Sequence, residues 1–559
     1  MLLFSVLSTV LHLANSRLVE TPFGAVEGFS RQFDDQLIDV YLGVQFGKSR
    51  RFQKPTLIEP WKGVKNAMKM GSACYNAYHR SQLVAALGVL ADSQIPTFLE
   101  MAEDCLYLNI FAPSEVNPKG YPVLVITLGG AFQLSGGNLL AGNYEMLYSS
   151  FVSKGIVVIT MNQRAGVLGF LSTEDSKYPG NYALWDIQTA LLFIQKAIKS
   201  FGGNPEETTI LGMGDVVSAL SLSPHTNLLF QRAILLSESM FSQTNLGSNC
   251  KNDSDLLARR FGCSTAENCE KLLTTSLVVL RKATALLGPI KDRLDYLSGF
   301  RFVPRIDGDF FPDSLENLLK PASRIPTISG VTQLESALTN FFPLFQGDRR
   351  FYVPKARQGN YSRQDLMELI SSLSEENLKE ELFSYYALRR AGDSEEADSR
   401  FYLRLQAELS SDILFNIPIY YEALRKANLG WPVYLYEEQY FHTPTPDLPF
   451  NTSTMWSINC YIFEIYFGKK FAFDTRDRRY QRNILSAFTS FIKTGTPQVN
   501  GRPWLPMTPE NPLRFMAFNV KSEMKDGFKK NGRWFWFERI FKRKERFKNL
   551  QLLFPSIDM

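Results

Sequence analysis

The stretch Thr208 to Leu220, TTILGMGDVVSAL, decides how the rest of the chain is read. It opens as an apolar, β-branched strand over Thr208 to Leu211, passes a tight glycine turn, and continues as a helix starting near Val216. Phe201-Gly202-Gly203-Asn204-Pro205 lies just upstream and Leu229-Phe230-Gln231-Arg232-Ala233-Ile234 just downstream. Strand, turn and helix in this order form the setting of a nucleophile elbow, in which a Gly-x-Ser-x-Gly turn lifts a serine hydroxyl above a sheet. Here the turn reads Gly212-Met213-Gly214-Asp215-Val216, and its centre, Gly214, has no side chain.

Working outward, short apolar runs recur at Val123 to Thr127, Ile156 to Met161, Ala233 to Leu236, Ile325 to Ile328 and Val433 to Tyr436. Helical patterns such as Ala183 to Ser200 separate many of them. This βαβ alternation predicts an α/β fold with a buried, mostly parallel sheet. Arg17 to Gly28 reads as a small antiparallel hairpin, Val40 to Val44 as a further strand, and Pro343 to Lys426 as helical, for example at Leu366 to Leu373 and Asp398 to Ser410. No internal repeat and no low-complexity linker interrupts the chain. With 559 residues, 45 % hydrophobic and 21 % charged, it can bury a large core.

The first residues, MLLFSVLSTVLHLANS, are apolar from Leu2 to Ala14, with small residues before Arg17. They predict a signal peptide over residues 1–16, although its start lacks a basic residue. Asn252, Asn360 and Asn451 each open an Asn-x-Ser/Thr sequon, which fits export. No later run is long and apolar enough to span a bilayer, so no transmembrane anchor is expected. The expected mature domain covers residues 17–550.

Glu103-Asp104-Cys105-Leu106-Tyr107-Leu108-Asn109 resembles a signature of the cholinesterase-like, type-B carboxylesterase family. Asn162-Gln163-Arg164-Ala165-Gly166, Pro179-Gly180-Asn181-Tyr182, Asp186-Ile187-Gln188, Thr494-Gly495-Thr496-Pro497 and Trp504-Leu505-Pro506 follow in the family's order. The resemblance covers about Arg17 to Trp536. It implies the α/β-hydrolase fold, with a central sheet flanked by helices and a helical lid region over a gorge. It also implies ion pairs of Arg51 with Glu103 and Arg164 with Asp186, and a first disulfide between Cys74 and Cys105.

Ester hydrolysis on that fold needs a serine nucleophile, a histidine base, a carboxylate to orient the histidine, and backbone donors for the oxyanion. The resemblance puts Gly214 at the nucleophile position. Asp215 is out of register as a substitute, since Met213 and Val217 would flank it where the elbow needs small residues. It reads instead as a helix N-terminal carboxylate. Counting back from Gly468 in Asn459-Cys460-Tyr461-Ile462-Phe463-Glu464-Ile465-Tyr466-Phe467-Gly468 puts Asn459 at the base position, and an amide cannot take a proton near neutral pH. Gly330-Val331-Thr332-Gln333-Leu334-Glu335 puts Glu335 at the acid position. Thr127-Leu128-Gly129-Gly130-Ala131-Phe132 resembles the oxyanion loop, with Gly130, Ala131 and the Asp215 N–H as donors. Only His12, His79, His225 and His442 are present. His442, after the strand beginning at Val433, is the one candidate for a rescued base, although a surface or packing role is expected. Losing a catalytic serine or histidine costs on the order of 10⁶ in turnover.

The remaining cysteines, Cys250, Cys263, Cys269 and Cys460, leave their pairing open: Cys250 with Cys263, Cys250 with Cys269, or Cys263 with Cys269, with Cys460 free or taking the leftover partner. No cysteine pair is joined by histidines at zinc spacing, and neither metal nor cofactor is expected. From Lys525 to Lys548 ten Lys or Arg face three Asp or Glu, while the whole chain carries only +5. Aromatics interleave this tail, and the spacing reads as a packed helix with solvated charges, or as a basic contact surface.

The expectation is an exported, catalytically inactive carboxylesterase-like protein that acts by binding or adhesion, as the neuroligins of the family do. An extracellular protein partner is expected, a homodimer is open, and nucleic acid is not expected. The alternatives are a weak or divergent ester hydrolase, and a carrier of a small apolar ligand in the gorge.

Overall fold

β-Branched and aliphatic runs that are apolar on both faces must be covered on both faces, and these runs assemble into one large sheet between layers of helices. The computed structural model describes residues 15–75, 100–130, 132–142, 144–242, 245–247, 249–287, 300–341, 350–388, 398–442, 448–455, 457–464, 472–547 and 550–557. Residues 1–14 of the expected leader, His12, His79, Ala131, Gly468 and Lys548 lie outside the described residues.

The sheet strands are β1 (Asn15–Thr21), β2 (Gly24–Phe33), β3 (Gln36–Gln45), β4 (Val64–Asn66), β5 (Tyr107–Pro113), β6 (Tyr121–Thr127), β7 (Val157–Met161), β8 (Gly203–Met213), β9 (Arg232–Leu236), β10 (Thr327–Thr332), β11 (Val433–Glu438), β12 (Phe515–Phe518) and β13 (Glu523–Lys525). Their order is β1-β2-β3-β5-β7-β6-β8-β9-β10-β11-β12-β13, with β4 on β2. Strands β7 through β12 pair in parallel, and the pairs at either end are antiparallel. The expected N-terminal hairpin is thus part of the main sheet. β1 starts at Asn15, two residues before the expected mature start.

The helices used below are α1 (Tyr182–Ala197), α2 (Gly214–Leu222), α3 (Cys250–Arg260), α4 (Arg363–Leu373), α5 (Glu376–Leu382), α6 (Ser399–Ser411), α7 (Ile417–Asn428), α8 (Ser457–Phe463) and α9 (Thr475–Thr494). Start signals set several of them. Ser362 caps α4, Asp398 caps α6, and Asp474 with Asp477 forms a reciprocal capping box at the head of α9. α9 stops at Gly495, whose φ of 76° is a left-handed helix end.

The ion pairs implied by the resemblance are present. Arg164 donates to both oxygens of the fully buried Asp186 at 2.8 Å, and Arg51 pairs with Glu103. Cys74–Cys105 is a disulfide, as expected. Of the alternatives left open, Cys263–Cys269 is the second bridge, while Cys250 and Cys460 are buried outside either bridge. The basic tail packs by its aromatics: Phe535 stacks on Tyr385 at 4.2 Å, and Trp536 Nε1 donates to Tyr386 at 2.9 Å. Burial continues past residue 550 to Phe554 and Ile557. Among the described residues no helix is long and apolar enough to cross a membrane.

Chain order and space order part company at β6. The chain goes from β6 to β7 on one side and then crosses to β8 on the other. In a parallel α/β sheet the crevice at such a switch, beyond the carboxyl ends of the strands, is where sites form. The glycine loop after β6 and the elbow after β8 both emerge there.

Candidate functional site

β6 and β8 run so close at their ends that Thr127 stands opposite Gly212. A Cβ on Gly212 would lie 2.2 Å from Thr127 Oγ1 and 2.4 Å from the Thr127 carbonyl oxygen, so only glycine fits. The elbow follows directly, yet it lacks the elbow's strain. A nucleophile elbow holds its central residue in a sharp, strained turn. Gly214 is not among the glycines of positive φ, and α2 begins at Gly214 itself, two residues earlier than Val216. The turn has relaxed into the first residue of a helix.

The neighbouring segment has closed over it. After β9 the chain turns at Ser237, a non-glycine residue with φ of 51°, and runs Glu238 across the elbow. A Cβ on Gly214 would lie 2.0 Å from the Glu238 carbonyl oxygen, 2.7 Å from its carbonyl carbon and 3.0 Å from its nitrogen. Those are backbone atoms, and real Cβ contacts do not come that close. Asp215 is fully buried, and its Oδ1 accepts the Val216 N–H at 2.7 Å. Burial pushes its carboxyl up to about 6, against the pull of the facing Glu238 carboxyl. The helix N-terminal reading of Asp215 holds.

Glu335 lies three residues beyond β10. Its Oε1 accepts the Thr332 N–H at 2.7 Å, its Oε2 is buried without a hydrogen bond, and burial pushes the carboxyl up to about 7. The segment leading into α8 is tied to this corner: Leu334 N–H donates to the Ser453 carbonyl at 3.1 Å, and Met455 N–H to that of Glu335 at 3.5 Å. Asn459, on α8, is fully buried, and neither atom of its amide makes a hydrogen bond. The two positions share a neighbourhood without forming an acid–base couple.

His442 is engaged elsewhere. Its Nδ1 is 3.0 Å from Asp477 Oδ2 and 3.7 Å from Asp474 Oδ2, at the head of α9. These three side chains are also the one grouping among the described residues whose ligand atoms, all within 4.8 Å of one another, suit a metal ion. Asp477 is saturated by Tyr440, His442 and the Asp474 N–H. His225 sits in a turn against Trp185 and the Asp309 carbonyl, as a packing residue does. In the glycine loop, Gly129 and Gly130 pair with Leu134 and Ser135 in a tight hairpin, turned by Phe132 at φ of 60°.

Three features were missed in the sequence. Glu238 reads as a solvated carboxylate between two serines. Its one signal is its place at the carboxyl end of a core strand. Glu438, at the end of β11, is buried against Ser457 and against Tyr480 at 2.7 Å, and burial pushes its carboxyl up to about 8. Behind the elbow, α7 places Glu422 and Lys426 one turn apart with their charges 2.6 Å from each other, both buried. Ser218 of α2 donates to Glu422 at 2.8 Å, Ser239 at 2.5 Å, and Lys426 donates to Ser221 at 3.2 Å. A charged i,i+4 pair within an otherwise apolar helix face was the available signal. Ser218→Ala is expected to lower unfolding free energy by about 1–2 kcal/mol, because Glu422 loses a donor it cannot replace with water. Urea unfolding of the single variant measures this.

The sequence model of the carboxylesterase family matches residues 15–536. Gut esterase 1 of Caenorhabditis briggsae is 30 % identical over 526 residues, covering 90 % of this chain and 88 % of that protein. Esterase cest-33 of Caenorhabditis elegans is 28 % identical over 560 residues, 96 % of each. Bile salt-activated lipase of Bos taurus is 28 % identical over 503 residues, 86 % of this chain and 79 % of that protein.

Proposed function

This chain belongs to the carboxylesterase family, and we propose that it is a non-hydrolytic member, exported from the cell, that works by binding an extracellular protein. One observation carries the reading. The space in which a nucleophile's Cβ would stand is filled by the backbone of Glu238, 2.0 Å away. A missing side chain alone would leave a hole beside a strained turn. Here the turn is relaxed and the hole is closed.

The other positions support the same reading. Asn459 cannot serve as a general base, and it is not hydrogen-bonded to Glu335. His442 is held by Asp477. Two disulfides suit an oxidising compartment. The sequon residues Asn252, Asn360 and Asn451 are all exposed, Asn252 on α3.

The test is expression of the full chain in a secretory eukaryotic host. The protein is expected in the medium, to lose mass on endoglycosidase treatment, and to leave p-nitrophenyl acetate and butyrate untouched. Saturable hydrolysis abolished by a serine-directed organophosphate would overturn the non-hydrolytic reading, and retention inside the cell without glycans would overturn export.

A further inference from the structure

We propose that the exposed run Lys542-Arg543-Lys544-Glu545-Arg546 is a docking surface for a sulfated polysaccharide. The proposal rests on the export part of the reading above and is independent of the loss of hydrolysis.

All five side chains are exposed. Lys542 pairs with Glu538, whereas Arg543, Lys544 and Arg546 have no ion-pair partner among the described residues. The nearby carboxylates are largely engaged: Glu381 with Arg539, Glu376 with Lys379, and Glu538 with Lys542 and Arg533. Glu545 is the one acid within the run.

The run is also fixed in place. Before it, Phe541 packs edge-on against Phe537 at 5.1 Å and against Phe554 at 5.2 Å, and Trp536 lies 5.2 Å from Phe554. After it, Phe547 is buried, and Asn377 of α5 donates to the Arg546 carbonyl at 3.3 Å. Residues 541–546 form a short helical stretch with a kink at Arg543, and the packing on both sides of it holds the run in place. A surface ordered in advance loses less entropy on binding. Arginine in particular offers a planar fork that suits sulfate as it does carboxylate and phosphate.

The orientation of the segment selects the partner. A membrane-binding amphipathic segment needs a free apolar face. Here Phe535, Trp536, Ile540, Phe547 and Phe554 are all buried in the domain. Within residues 542–546 every exposed side chain is charged, and the half-exposed Trp534 before the run is a single ring rather than an apolar face, which suits a hydrophilic polyanion. Two disulfides suit an oxidising compartment, and on the export reading nucleic acid is not the prevailing polyanion there.

The experiment passes the purified full chain over immobilised heparin at increasing salt, beside the variant Arg543→Ser, Lys544→Ser, Arg546→Ser. A control variant removes three exposed charges elsewhere, by Lys119→Ser, Lys199→Ser and Lys493→Ser. Parent and control are expected to be retained, and the tail variant to lose affinity about tenfold or more. By counterion release, three ionic contacts give a slope of log affinity on log salt of about −2 to −3, which the tail variant loses. Thermal midpoints matching the parent's show that both variants fold. Equal retention of the two variants, equal binding to desulfated heparin, or stronger binding to anionic vesicles or duplex DNA would each overturn the proposal. A protein that is retained on heparin but not exported would instead count against the export reading.

Discussion

Placing serine and histidine at the positions that the resemblance assigns to nucleophile and base, by Gly214→Ser with Asn459→His, is expected to yield no ester hydrolysis and a less stable protein. On the family's geometry the double substitution would rebuild a triad with Glu335. In this structure the new Cβ at position 214 meets the Glu238 carbonyl at 2.0 Å, and the obstacle is backbone, which cannot rotate away. To admit the serine, either α2 must move off its strand or the segment from Ser237 must lift. α2 is held through Ser218 and Ser221 to the buried Glu422–Lys426 pair, and Ser239 holds the other segment to the same carboxylate. Overpacking of this kind costs about 1–3 kcal/mol and occasionally more. Urea unfolding of Gly214→Ser alone reads that cost. Turnover of an activated ester by the double variant, at parent-like stability, would show that the strained turn re-forms and that the site is closed only by its side chains.

Stability is expected to fall from about pH 5 to pH 8, by on the order of 5 kcal/mol. Asp215, Glu335 and Glu438 are fully buried, and burial pushes them up to about 6, 7 and 8. The folded chain therefore keeps three protons that the unfolded chain releases near pH 4. This contribution is fully present below that pH and is lost as pH rises through the three folded values. The facing groups modulate the effect of burial. Glu238 draws Asp215 down, the Thr332 N–H and, less strongly, the Lys529 ammonium draw Glu335 down, and the Glu335 carboxylate pushes Glu438 further up. Carboxylates held low by hydrogen bonds, such as Asp175 and Asp365, work oppositely and lose their contribution only in stronger acid. The optimum should thus sit on the acid side of neutral. Denaturant midpoints at pH 5, 6, 7 and 8 test this, and Glu438→Gln should flatten the upper end. Midpoints that do not move between pH 5 and 8 would mean these carboxyls are ionised in the folded protein.

Much of the scaffold was legible because its signals are local. Val123 to Thr127 and Val433 to Tyr436 announced their strands as short apolar or β-branched runs, and Asp398 to Ser410 announced its helix by pattern. The run Ile325 to Ile328 begins two residues before β10 and stops four short of its end at Thr332, because Ser329-Gly330 interrupts the apolar run. Gly330 is needed there, since a Cβ would lie 2.3 Å from the Tyr436 carbonyl oxygen. The register of the elbow was legible and its relaxation was not. Relaxation depends on where Glu238 sits, some two dozen residues away in the chain, and a carboxylate beside two serines gives no sign of burial. The pairing of Cys263 with Cys269 was one of three open choices, because spacing does not say that Cys250 lies buried 2.6 Å from where a Cβ on Gly247 would stand.

The buried Glu422–Lys426 pair also sets a timetable for biosynthesis. Ser218 and its acceptor Glu422 are 204 residues apart in the chain. At about 5–20 residues per second, a ribosome delivers α7 some 10–40 s after the elbow segment has emerged. During that interval strands β6 to β9 are complete, with neither the carboxylate nor the apolar face of α7 to pack behind the elbow. The nascent chain therefore waits half-built with oily surface exposed. Its yield should depend more on chaperones that hold the nascent chain than on the stability of the finished fold.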